Sequence, residues 1–187
     1  MTAPYGSNQA LFCTNPLAYG IPTAGEPIVL DMATSAMAFF GLIEAKTAGK
    51  QVPEGVGFDT EGKPTTDPAE ILSGAIATIG GYKGSGLALI VQILSSALVG
   101  ADYFHTGSAN GGNLVMAIDP DILRPTAQFR ESVSDMVVKV KSTRKIDGVK
   151  EILVPGERGN RLAKQRSESG EIEVEDNLLI ELRKIGQ

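Results

Sequence analysis

The sequence has one cysteine and one histidine. A lone thiol, Cys13, closes no internal disulfide, so a reducing compartment is expected and Cys13 reads as a small buried hydrophobe. With no second histidine and no cysteine cluster, a zinc site built from this chain is not expected. A Ser-His-Asp triad would need His105 beside a G-x-S-x-G elbow, and GYKGSGL (residues 81–87) contains G-S-G without that pattern. His105 itself sits in DYFHTGSANGG (102–112), a Gly/Ser/Asn loop. An exposed imidazole is the expected outcome there, and a general acid is the alternative.

A basic surplus is also lacking. The net charge is −5 and basic residues stay scattered until the last third, so nucleic acid is not the expected partner. The opening MTAPYGSNQA has neither the basic nor the apolar segment of a secretory signal, and a cytoplasmic location is expected. One long uncharged run exists, eighteen residues between Lys83 and Asp102, which just reaches spanning length. Three glycines, three serines and Gln92 dilute it, and no basic residue follows to anchor a membrane edge. It predicts a helix buried in the core or at a subunit interface. Repeats, low-complexity tracts and a linker long enough to separate two independent domains are missing too, and 187 residues suffice for one large domain or a domain and a half, able to bury roughly 70% of the unfolded surface.

What is present is a series of turns, strands and helices. TNPLAYGIP (14–22) is bounded by prolines that interrupt any helix. In PIVLDMATSAMAFFGLIEAK (27–46) a short apolar run ends at Asp31, after which Thr34 or Ser35 is predicted to cap a helix carrying Met37, Phe39, Phe40 and Ile43. Asp67-Pro68-Ala69-Glu70 supplies a cap, a first-turn proline and an acid three residues on, predicting a helix through Ala77. NLVMAIDP (113–120) reads as a buried strand. Phe129, Val133, Met136, Val137 and Val140 keep helical spacing and predict one buried helix face. GVKEILVPGERGNRLAKQRS (148–167) predicts a strand, a turn at Pro155-Gly156 and a basic segment with Arg158, Arg161, Lys164 and Arg166. A last strand and a helix starting near Asp176 follow.

The densest chemical signal is GGYKGSGLALI (80–90). It is not a P-loop, because Lys83 precedes its small residues, and Leu89 replaces the third glycine of a dinucleotide fingerprint. A P-loop phosphotransferase is therefore disfavoured. Glycines on both sides of Lys83 let a ligand reach the main chain, and the ammonium suits phosphate or ribose hydroxyls; a solvated lysine at a helix start is the other reading. Asp31 can bind a ribose hydroxyl or cap the next helix. PGERGNR (155–161) can hold an anion such as a 2′-phosphate or simply be a solvated basic face.

Taken in order, TNPLAYGIP, PIVLDMATSAMA, PEGVGFDTEGKPTTDP, GGYKGSGLALIVQILSSALVGA, AIDP and VPGER resemble the malate/L-lactate dehydrogenase family over nearly the whole chain. The resemblance implies a mixed α/β (α+β) fold, a largely antiparallel sheet covered by helices and not a Rossmann fold. It implies hydride exchange between NAD or NADP and a small-molecule 2-hydroxy acid/2-oxo acid such as malate or lactate, or a cyclic imino acid, in a homodimer. It assigns cofactor contacts to Asp31, Met32, Ala33, Lys83, Gly156, Glu157 and Arg158, with no metal. It also implies that the chain begins partway through the family pattern, so that residues 1–187 form the NAD(P)-binding and C-terminal part. The N-terminal helical region with its catalytic histidine is then expected to be missing, and no catalytic residue is assigned. The rival expectation is a non-catalytic nucleotide-binding or dimerisation module that keeps the fold.

Overall fold

The computed structural model describes residues 1–102 and 110–185. His105 lies outside them. Two compact units interleave in sequence: the first comprises Met1–Leu17, Met32–Leu114 and Glu173–Gln187, the second Ala18–Asp31 and Val115–Ile172.

In the first unit, α1 (Phe39–Thr47) and α2 (Pro68–Ser73) pack beside a three-stranded antiparallel sheet of β3 (Gly57–Phe58), β4 (Pro64–Thr65) and β5 (Ala75–Ile76), ordered β4-β3-β5. Leu42, Val52, Val56, Ile71 and Ile76 form the core, with Met37, Ala45 and Leu72 against it. Each such side chain contributes about 1.5–3 kcal/mol on burial. Asp67 starts α2 as expected, its carboxylate accepting the Ala69 and Glu70 N–H groups at 2.7 and 3.4 Å. The helix stops at Ser73, short of the predicted Ala77, because Ala75 and Ile76 pair with Phe58 and Gly57 instead.

Next comes α3 (Tyr82–Gln92), which continues as a π-helical turn over Ile93–Ala97. Its apolar character predicts burial, yet Leu87, Leu89, Ile90, Ile93 and Leu98 are exposed and only Gly84, Ala88 and Ser96 are buried. Burial within this chain is therefore overturned. The unit also includes α6 (Asp176–Ile185), tied to the end of α1 by the Asn177 amide donating to the Thr47 carbonyl at 2.9 Å. Cys13, expected to be buried, is exposed, with Met1 Sδ 3.9 Å away.

The second unit holds most of β1 (Leu17–Ile21) and β2 (Ile28–Met32), which pair in a two-stranded sheet, together with α4 (Thr126–Lys141) and α5 (Glu157–Ser169). Arg130 Nε donates to the Thr23 carbonyl at 2.6 Å and the Ala24 N–H to Ser134 Oγ at 3.0 Å, fixing the turn between the strands on α4. Of the predicted α4 stripe only Val133 is fully buried; Phe129 and Val137 are half-buried, and Met136 and Val140 are exposed. The basic segment after Gly156 is a regular helix. No strand forms over 113–119, 149–154 or 171–175. Val115 and Met116 are 89% and 74% exposed, since an apolar run becomes a strand only where a partner edge is available to pair its backbone.

The class is mixed α and β with small antiparallel sheets, as expected. Among the described residues no helix is long and apolar enough to cross a membrane, and no cluster of His, Cys, Asp and Glu could hold a metal ion.

Candidate cofactor site

In the first unit the segment after β2 is bonded directly to the segment that leads into α3. The Ile79 N–H donates to the Thr34 carbonyl at 2.9 Å and the Ala36 N–H to the Ala77 carbonyl at 2.7 Å, with Ser35 bridged antiparallel to Thr78. Met32 and Ala33 thus lie next to the strand-like residues from which Gly80, Gly81 and Lys83 emerge. Thr34 and Ser35 are buried and do not cap α1, which begins at Phe39 with no side-chain cap. The Thr34 hydroxyl instead donates to the Thr14 and Asn15 carbonyls, both at 3.0 Å, and Ser35 Oγ to the Met37 carbonyl at 2.7 Å.

Asn15 extends this network to α3. Its amide donates to the Ala88 carbonyl at 2.8 Å and to Gln92 Oε1 at 2.9 Å, while Gln92 Nε2 donates to Ser96 Oγ. Asn15 is 6% exposed and holds φ at +40°, a conformation that asparagine tolerates better than most residues. Buried, with its side-chain NH₂ donating twice, it clamps the segment before β1 to the helix that carries Lys83. Nothing in the residue spacing singled out Asn15. The one available signal was an asparagine next to a proline, inside a motif read only as a turn.

Gly84 sets the approach of α3 itself: a Cβ there would lie 1.9 Å from the Ile79 carbonyl oxygen, so only glycine lets the first helical turn sit this close. One residue earlier, Lys83 is exposed, with its ammonium 6.0 Å from the Tyr82 ring centroid. Among the described residues it makes no hydrogen bond or salt bridge. Tyr82 meets Tyr5 edge-to-face at 6.1 Å, and the Tyr5 N–H donates to Ser85 Oγ at 3.0 Å. A cleft of about 790 Å³ opens beside this turn, with Tyr5, Phe58, Ile79, Gly80 and Gly81 among its lining residues.

In the second unit, Gly156 lies against β2. The Val29 N–H donates to the Pro155 carbonyl at 3.3 Å, and a Cβ on Gly156, at φ +93°, would come within 3.2 Å of the Val29 backbone. The turn therefore packs two residues from Asp31, which is exposed on β2 and has no bonded partner among the described residues. The Glu157 carboxylate accepts from Lys141 Nζ at 2.5 Å and from the Val154 N–H at 3.1 Å. Arg161 forks onto the Glu151 carboxylate. Arg158, exposed in the first turn of α5, has no such partner among the described residues.

The Lys141 hydrogen bond, helped by the Val154 N–H, holds the Glu157 carboxyl below its ordinary value of 4.5. The Arg161 fork similarly lowers Glu151, and the Arg161 guanidinium is raised in turn by Glu151. A carboxyl depressed by folding stabilises the native state above its unfolded value, and that contribution fades as pH falls through the folded one. Glu157→Gln should therefore lower stability modestly at neutral pH, with the gap to wild type closing in acid below 4.5. Denaturant midpoints measured across that range check it. A gap that persists unchanged in acid would mean the ion pair is not its source.

Residues 1–183 match the family model for malate/L-lactate dehydrogenase. The chain belongs to the malate/L-lactate dehydrogenase family. It is 40% identical over 185 residues to the L-sulfolactate dehydrogenase of Methanothermobacter thermautotrophicus, covering 95% of this chain and 52% of that protein. It is 39% identical to the Delta(1)-pyrroline-2-carboxylate/Delta(1)-piperideine-2-carboxylate reductase of Pseudomonas putida, covering 94% of this chain and 52% of that one. In structure it is similar to a dehydrogenase from Sinorhizobium meliloti, with TM-score 0.86 and 31% identity, over all of this chain and 56% of the other. The chain spans about half the length of the curated relatives it matches. Membership of this family, together with those structural likenesses, fits the non-Rossmann arrangement described above.

Proposed function

We propose that residues 1–187 are the NAD(P)-binding and C-terminal part of an oxidoreductase that exchanges a hydride between NAD or NADP and a 2-hydroxy acid or its 2-oxo form. Malate, lactate and cyclic imino acids are the expected substrates, and the name of one relative adds sulfolactate. One observation carries this reading: an unpaired ammonium, Lys83, stands beside a glycine turn whose position is fixed by the Thr34 and Asn15 network. The residues suit such a cofactor, for a Cβ on Gly80 would meet nothing within 4 Å, leaving the main chain open to a bulky group beside a free cation.

Lys83 then holds the anionic or ribose portion, and the main chain at Met32 and Ala33 is available for hydrogen bonds. On the second unit, Asp31 is an unpaired acceptor for hydroxyls, and Gly156 keeps the turn tight enough to expose its backbone. Glu157, already bonded to Lys141 and Val154, orients that turn, and the unpaired Arg158 guanidinium favours the 2′-phosphate of NADP. When bound, the reduced cofactor supplies the hydride; these residues bind and orient it. Fluorescence titration with NADH and NADPH tests the reading, with saturable binding expected. Failure of both to bind would overturn it.

The exposed apolar side of α3, with Leu87, Ile90, Ile93 and Leu98, supports a homodimer as the working state. Sedimentation at micromolar concentration should show a dimer. A clean monomer would remove α3 as an interface.

A further inference from the structure

We propose that Asn110 is a site of spontaneous deamidation, and that its isoaspartyl product disturbs the seat of Gly112 against the π-helical turn after α3. Among the asparagines of this sequence Asn110 alone precedes a glycine; the others precede Gln, Pro, Leu or Arg. The reaction needs no co-reactant but water. The Gly111 main-chain nitrogen, having lost its proton to base, attacks Cγ of the Asn110 side-chain amide. The new C–N bond closes a cyclic imide, and the side-chain nitrogen leaves as ammonia. Water then opens the imide at either carbonyl, giving aspartate, or isoaspartate in which the main chain runs through Cγ. Nothing is oxidised or reduced at any step.

The surroundings leave this bond open to attack. Asn110 and Gly111 are both exposed and belong to no helix or strand. Gly111 has no side chain to crowd the approach, and a Cβ placed on it would meet nothing within 4 Å. Its N–H donates to no partner among the described residues, so no hydrogen bond there holds the proton against base. The next residue decides the consequence. A Cβ on Gly112 would overlap the Ser95 carbonyl oxygen and lie 2.9 Å from the Ala101 Cβ, so the main chain has no slack at that point. On the other side, the Asp102 N–H donates to the Asn110 carbonyl at 3.2 Å. Isoaspartate lengthens the main chain by one methylene directly before Gly112. It also turns the carbonyl that Asp102 bonds into a free carboxylate, setting a new negative charge next to Asp102. Aspartate keeps both the length and the carbonyl, so it should be tolerated.

Incubating the whole chain at mildly alkaline pH, with peptide mass mapping and isoaspartyl methyltransferase labelling at intervals, tests both parts. The peptide holding Asn110 should gain about one dalton, as NH₂ is replaced by OH, ahead of every other asparagine. The rate should rise with hydroxide, and methyl label should appear on the same peptide. Asn110→Gln and Gly111→Ala should each lose the gain over the same interval, and the open space at Gly111 admits the alanine. An unchanged Asn110 peptide, over an interval in which the free peptide SANGG (108–112) converts, would overturn the proposal. So would an equal gain in Gly111→Ala. For the consequence, denaturant midpoints are compared: the converted chain, enriched in isoaspartate, should unfold earlier than Asn110→Asp, which should match the unconverted chain. Equal midpoints for the converted chain and Asn110→Asp would overturn the claim that the added methylene is felt at Gly112.

Discussion

Given saturating NADH or NADPH and a 2-oxo acid or cyclic imino acid, the chain alone is expected to show no useful turnover. Reducing a carbonyl at neutral pH builds negative charge on oxygen, and a positioned general acid typically contributes about 10²–10⁴-fold at that step. Lys83 is the free cation nearest the cleft along the chain, and on this account it is committed to the cofactor. His105 is the one imidazole in the sequence, in a loop to which the family resemblance assigns no catalytic part. The chain spans only about half the length of the curated relatives it matches, and the family resemblance assigns none of its residues as the general acid. Three assays decide: the chain alone, its His105→Ala variant, and the chain mixed with a family N-terminal region supplied in trans. Activity that appears only in the mixture supports the account. Activity in the chain alone that is lost in His105→Ala makes His105 the acid and contradicts it. Binding of the dinucleotide without turnover in any mixture favours the non-catalytic module.

The second large effect concerns Lys83. Replacing it with alanine removes the unpaired ammonium but no packing contact of the core, so the fold should survive unchanged by circular dichroism. Loss of one charge-assisted contact costs about 1.5–3 kcal/mol, or roughly ten- to hundredfold in dinucleotide affinity. Among the described residues Lys83 makes no hydrogen bond or salt bridge, and the Tyr82 ring, 6.0 Å from its ammonium, is the contact that competes with a ligand. Lys83→Arg should recover part of the loss by charge while fitting the compact turn less well. Unchanged affinity in Lys83→Ala would return the residue to a solvated helix start.

Much of this was readable in advance where the cause is local. The α2 start follows from Asp67-Pro68, whose chemistry acts within one turn, and the entry to α3 follows from the glycines around Lys83. Turn chemistry likewise marked Pro155-Gly156. The misses share a different cause. Thr34 and Ser35 read as caps because hydroxyls near a helix start usually are, but carbonyls of Thr14, Asn15 and Met37 take their hydrogen bonds, and two of those come from another part of the chain. The run 113–119 has the composition of a buried strand, and composition cannot say whether a partner edge is at hand. The same holds for α3, whose apolar faces report that something should cover them without saying what. Asn15 was invisible because its worth depends on Ala88 and Gln92, more than seventy residues away in sequence.

The most direct test of the central claim is a ¹H–¹⁵N NMR titration of the chain with NADH. The account predicts saturable shifts concentrated at residues 31–36, at 80–85 and at 155–158. Shifts confined to other surfaces, such as the groove of Phe39, Ile43 and Leu72, or no shifts at millimolar cofactor, would contradict it.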